Sequence, residues 1–273
     1  MSAARLLEGP RLRVTPIAAV RPRRALRLVE RNLVVYRRGW IYVVSGFVEP
    51  FLYLLSIGVG LGHLVGTMTV GGRAVTYAAY VAPGLLAASA MNGAIYDSTY
   101  NLFFKLKYAH TYEAVLSTPL STSDVALGEV LWAFLRGTLY GAAFLGVMAA
   151  LGLVASPWAL CCLPVVSLVS LAFASLGVAV TAHVRSWQDL DMAALSVLPM
   201  FLFSGTFYPL SSYPAAVAWI VRLTPLYQGV TVLRALTTGD VGPGLVWHVA
   251  YLAVLATASL TVAAGRLQRL LAP

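Results

Sequence analysis

Charge is what this chain has least of. Of its 273 residues, 11% are Asp, Glu, Lys or Arg and 59% are hydrophobic, against about 25% charged in an ordinary soluble domain. There are too few polar side chains to clothe a soluble core, so the solvent for most of this chain is lipid. Cysteine is nearly missing: Cys161 and Cys162 are neighbours in an apolar stretch and read as small filler. The ten-residue alternation of a membrane β-barrel is absent. No G-x-x-x-x-G-K-[ST] occurs, which excludes a P-loop on this chain. His63, His110, His183 and His248 lack metal-ligand spacing, and no G-x-S-x-G elbow is present.

What is there begins with arginine. The net charge is +9, and ten of the 19 Lys and Arg residues precede Trp40. A basic block just ahead of an apolar span reads as a cytoplasmic anchor beside anionic lipid, which makes membrane lipid the partner and not nucleic acid. The block is too long and too Arg-dense for a cleavable signal peptide. Seventeen arginines against two lysines point to a GC-rich bacterial genome.

Apolar segment length then predicts an all-α polytopic membrane protein of six transmembrane helices: Trp40–Gly62, Tyr77–Tyr100, Asp124–Leu153, Trp158–Val184, Asp189–Tyr208 and Leu245–Gly265. Each approaches or exceeds the ~20 residues that cross hydrocarbon. With the N-terminus inside, the cytoplasmic side collects fifteen basic residues and the outside three, Arg73, Arg222 and Arg234. That bias places both termini in the cytoplasm of a bacterial cell membrane. The chain divides into residues 1–39, a cytoplasmic basic tail with an interface helix, and residues 40–273, the transmembrane domain.

Three stretches are not plain spans. Arg21–Arg38 sets Leu26, Val29, Leu33 and Tyr36 near one helical face among arginines, an amphipathic helix for the inner interface. Ser211–Gly244 is too apolar for an ordinary loop; Pro214 and Pro225 divide it into two pieces that fit short external re-entrant helices. Lys107–Asp124 is cytoplasmic and partly apolar. Its "TYEAVLSTPL" forms about two helical turns with Tyr112, Val115 and Leu116 on one side and Glu113 in the first turn. Pro119 ends that helix, and Ser123 or Asp124 caps the following span.

Charges within the spans need a reason. At ~1.5 Å per residue, Glu49 lies ~13 Å in from Trp40 and Arg136 ~18 Å in from Asp124. Both spans start inside, so the two are expected to pair. Asp97 and Glu129 are expected at the inner interface, and Asp189 and Asp191 at a helix N-terminus.

Four stretches in order carry a resemblance: the basic amphipathic lead-in, "FVEPFLYLLSIGVGLG", "YEAVLSTPLSTSDVALGEVL" and "FLFSGTFYPLSSYPAAVAWIVRLTPLYQGVTVLRAL". The chain resembles the six-span permease subunits of ABC exporters, in the class of the nodulation lipo-oligosaccharide, daunorubicin-type drug and polysaccharide or teichoic-acid exporters. The resemblance implies that Thr111–Ser121 is a cytoplasmic coupling helix seated in a separate P-loop ATPase, through Tyr112, Glu113, Leu116, Thr118 and Pro119. It implies two ATPase copies and a second permease copy, identical or homologous. ATP and magnesium sit on the ATPase, and this chain carries no cofactor. The outer gate and path fall at Phe203, Ser204, Gly205, Thr206, Phe207 and Tyr208. The small residues at 204–206 read either as a flexible point or as an aid to tight helix packing. The substrate classes are a lipid-linked compound, a glycolipid or a hydrophobic drug. The alternatives are an ion-gradient-driven secondary transporter, for which the two halves of the chain show no inverted repeat, and an integral membrane lipid-modifying enzyme.

Overall fold

The computed structural model describes residues 22–38, 48, 50–70, 72–109 and 111–271. Helix α1 (Pro22–Arg38) comes first. Helix α2 (Pro50–Val65) is the described part of the first expected span; Glu49 and residues 39–47 lie outside the described residues. Strands β1 (Thr67–Val70) and β2 (Arg73–Thr76) follow as an antiparallel hairpin, Thr67 opposite Thr76 and Val70 opposite Arg73. The all-α expectation misses it; Thr, Val and Met in short alternation hold a ladder there.

Four long apolar helices form the body: α3 (Tyr77–Lys107), α5 (Thr122–Ala150), α6 (Pro157–Thr181) and α11 (Leu245–Leu271). Between α3 and α5 lies the short α4 (Thr111–Leu116). Between α6 and α11 come α7 (Trp187–Leu195), α8 (Val197–Leu202), α9 (Ala215–Leu223) and α10 (Pro225–Thr238). Among the described residues four helices are long and apolar enough to cross a membrane, or five if α9 and α10, bent by 86°, count as one span. The chain is therefore an all-helical polytopic membrane protein apart from the hairpin. The expected fifth span is not one helix: α7 ends at Leu195, α8 at Leu202, and the chain is irregular from Phe203 to Pro209. Ser196 returns its hydroxyl to the Ala193 carbonyl at 2.6 Å, competing with the helix ladder at that break.

Helix α3 is the centre of the packing. It is rich in Ala and Gly, and Val81 to Met91 are all buried. Small residues let helices approach closely in lipid, where burial of apolar surface between helices gains little. At the crossing of α3 and α5 a Cβ on Gly137 would lie 2.5 Å from the Ala90 carbonyl oxygen, so no other residue fits. Near its C-terminal end α3 passes through a π-helical turn, Asp97–Asn101, and continues past the expected limit of Tyr100.

The helix starts follow local chemistry. Ser121, not Ser123 or Asp124 as expected, caps α5: its hydroxyl accepts from the Asp124 amide, and the Asp124 carboxylate accepts from the Ser121 amide. Ser186 and Asp189 repeat this capping box on α7, as expected for a carboxylate at a helix start. Pro214 precedes α9, Pro225 opens α10, and Gly239, in the left-handed region, ends it. The two proline-bounded pieces expected after the fifth span are α9 and α10.

Candidate coupling face and outer loop

Helix α1 runs lengthwise beside α5. Leu28 presses on Gly128, Asn32 reaches Lys105, and Tyr36 meets Trp132 and Arg136. The buried stripe is Ala25, Leu28 and Asn32. Of the expected amphipathic face, Leu26 and Leu33 are exposed, as are Val34 and Val35, while Val29 and Tyr36 are half-buried. The heavy packing demand of α5, met at Gly128, decides which stripe turns inward.

Two closed ion pairs stand where α1, α3 and α5 meet. Arg136 Nη1 donates to Asp97 Oδ2 at 2.8 Å, and Tyr36 and the Asn101 amide each donate to Asp97 Oδ1 at 2.8 Å. The Arg136 guanidinium also donates to the Tyr140 hydroxyl and lies about 5 Å from the rings of Tyr36, Tyr96 and Tyr140. Nearby, Lys105 Nζ donates to both Glu129 oxygens, at 2.8 and 3.1 Å. All four charges are buried. Arg136 thus has Asp97 as an acid partner. Glu49, its expected partner, falls outside the described residues. The π turn that aims Asp97 and Asn101 at α5 left no mark in the sequence pattern.

Beyond this network the chain turns into α4. Tyr112 is buried and belongs to the hydrophobic core. Val115 and Leu116 pack partly against the same core. Glu113, Thr118 and Pro119 face outward. Helix α4 stops at Leu116, and the hydroxyls of Ser117 and Thr118 turn back to the carbonyls of Ala114 and Val115. Arg24 of α1 donates to the Pro119 carbonyl at 3.1 Å. The five expected coupling residues therefore divide: Tyr112 is an anchor, Leu116 is half-buried, and the other three form an exposed edge.

A cleft of about 730 Å³ opens between α1, α3 and the start of α7. Tyr36, Tyr96, Tyr100, Phe104, Arg136 and Trp187 line it. Tyr96, Tyr100 and Phe104 recur every four residues, so one face of α3 presents an aromatic ladder.

At the opposite end, the six expected gate residues form the irregular segment after α8. Ser204, Gly205, Thr206 and Phe207 are buried; Phe203 and Tyr208 are exposed. The segment is bolted to α3. Tyr80 donates its hydroxyl to the Gly205 carbonyl at 3.4 Å and Tyr77 to that of Phe207 at 3.2 Å. Arg234 of α10 donates through Nη2 to the Gly205 carbonyl at 2.8 Å and through Nε to the Tyr80 carbonyl at 3.2 Å. Thr206 fills the notch over Gly84, where a Cβ would come within 2.6 Å. Gly205 adopts φ +72°, a conformation that favours glycine. Of the two readings of these small residues, flexible point or tight packing, the segment shows the close packing. Sequence reasoning passed over Tyr77, Tyr80 and Arg234, because the carbonyls they serve lie far away in the chain.

Comparison with known proteins agrees with this architecture. The ABC-2 type transporter family matches residues 24–237, and the chain belongs to that family. It is a multi-pass permease subunit of an ABC transporter, not an enzyme, and the family's ATPase is a separate subunit. The chain is 31% identical to nodulation protein J of Rhizobium meliloti (strain 1021) over 245 residues, covering 89% of this chain and 92% of that protein. It is 34% identical to nodulation protein J of Rhizobium leguminosarum bv. trifolii over 226 residues, covering 82% and 85%. The inner membrane transport permease YadH of Escherichia coli (strain K12) is 24% identical over 206 residues, covering 73% and 77%.

Proposed function

We propose that this permease moves a lipid-linked, glycolipid or hydrophobic drug-like substrate out of a bacterial cell, driven by ATP that a partner subunit hydrolyses. Two permease copies and two P-loop ATPase subunits form the working unit. Both termini face the cytoplasm in the inner membrane. One observation carries the reading: the exposed edge of Glu113, Thr118 and Pro119 is rigidly tied to the bundle through Tyr112 and to α1 through Arg24. An edge so mounted transmits a push. When ATP draws the ATPase subunits together, α4 and α1 move as one body with α3 and α5, and the permease halves change their spacing. The aromatic cleft along α3 supports the substrate class. Its rings and the paired Arg136 suit an amphipathic molecule and offer no net charge to a simple ion. The irregular segment from Phe203 to Tyr208 is the outer gate, with α9 and α10 as re-entrant helices behind it.

The test is a pull-down of the tagged chain in mild detergent. A P-loop ATPase is expected to co-purify and to be lost in Leu116→Arg. Glu113→Ala is expected to keep membrane insertion while ATP hydrolysis no longer drives transport. Partner-free protein with transport that follows an ion gradient would support a secondary transporter instead.

A further inference from the structure

Buried or half-buried charges in this bundle come in two kinds. Where α1, α3 and α5 meet, Lys105 and Arg136 each face a carboxylate. Arg234 does not. It is half-buried on α10, and its partners are three carbonyls, those of Tyr80, Gly205 and Thr206, together with the Tyr80 ring 4.0 Å below its Cζ. Those are dipoles and a quadrupole. They orient the guanidinium and leave its full charge standing. Nε and Nη2 are spent on them; among the described residues nothing accepts from Nη1. Arg222, on the preceding helix α9, lies over Trp219 and forms no ion pair among the described residues. Asp240, the one acid between Asp191 and the end of the chain, forms no ion pair among the described residues.

We infer that Arg234 is an anion-binding site, and that its ligand is a phosphate or carboxylate headgroup that reaches Nη1 from the open side of the loop. The chemistry favours it. A charge held in a low-dielectric site gains most from a counter-ion when it is already oriented and need not be immobilised on binding. A guanidinium N–H donates a charge-assisted hydrogen bond to such groups, and the cradle has pre-aimed the one unused nitrogen. The headgroup belongs either to a phospholipid or to a free anion, and the two sources are separable by experiment.

The full chain would be placed in nanodiscs of phosphatidylglycerol and phosphatidylcholine, then released for native mass spectrometry. Wild type is expected to retain one more phosphatidylglycerol than Arg234→Gln, with Arg234→Met as a second neutral variant. Tyr77→Phe loosens the same loop without touching the charge, and it is expected to retain the lipid. In phosphatidylcholine discs, inorganic phosphate is expected to raise the thermal midpoint of wild type, relative to chloride of equal ionic strength, and to leave the neutral variants unmoved. Loss of retained lipid in the neutral variants assigns the site to a lipid headgroup. Equal lipid retention with a phosphate shift only in wild type assigns it to a free anion. Equal behaviour of wild type and the neutral variants in both arms overturns the site, as does loss of binding in Tyr77→Phe to the same degree. Binding is read at equilibrium without a partner, so its failure is distinct from a failure of ATP-driven export.

Discussion

Two arginines of this bundle are held in opposite ways. Where α1, α3 and α5 meet, Arg136 is closed by Asp97, with Tyr36, Asn101 and Tyr140 completing the network. On α10 Arg234 is held by carbonyls and the Tyr80 ring. A closed pair adds little net stability but makes each partner indispensable, because a lone charge would remain in the core. A carbonyl cradle fixes a loop and leaves charge available. The first arrangement suits a joint that must stay rigid while load passes through it. The second suits a place where something must bind or let go.

The comparison is broken most severely at the Asp97–Arg136 joint. Asp97→Ala is expected to cost about 3–5 kcal/mol by leaving Arg136 unpaired, read as a large fall in thermal midpoint in detergent. The double variant Asp97→Leu with Arg136→Met is expected to regain most of that loss. No recovery would mean that the pair is not what the joint rests on. Tyr112→Ala is expected to cost about 3–5 kcal/mol as well, through a cavity under α4, whereas Glu113→Ala leaves the midpoint unchanged; equal effects would end the division into anchor and edge.

At the outer loop the effects are smaller. Gly205→Ala forces a side chain into a left-handed conformation and is expected to cost about 1–2 kcal/mol, measured the same way. A neutral result would show that the loop is already loose. Smallest, Ser121→Ala removes one side of the α5 capping box and is expected to cost about 0.5–2 kcal/mol. Asp124→Asn measured beside it tests whether the reciprocal bond matters.

Part of this was legible beforehand. The apolar runs gave the third and fourth spans to within three residues and the sixth at its start, because a helix in lipid must satisfy every backbone group within itself. Pro214 and Pro225 marked the broken pair, since proline cannot continue a helix. The fifth span failed for a related reason: a serine at 196, Pro199 and the Ser-Gly-Thr run end the helix, although mean hydropathy does not register them. The hairpin at Thr67–Thr76 was lost because four-residue strands leave a weak periodic signal.

Of the site, the sequence named the short helix and the loop but not how their residues divide. Tyr112 is buried while Glu113 is exposed, and Ser204 and Thr206, open to either a flexible or a tightly packed reading, are buried. What the sequence determined alone is the solvent, the class of fold and the segments that break from it, because hydropathy, length and proline act locally. What the tertiary structure decided is which charge meets which. Asp97 and Arg136 are 39 residues apart, and Arg234 and Tyr80 are 154 apart. Small side chains at Gly137 and Gly84 set how closely the helices and the loop approach, and that approach, not any motif, selects the partners.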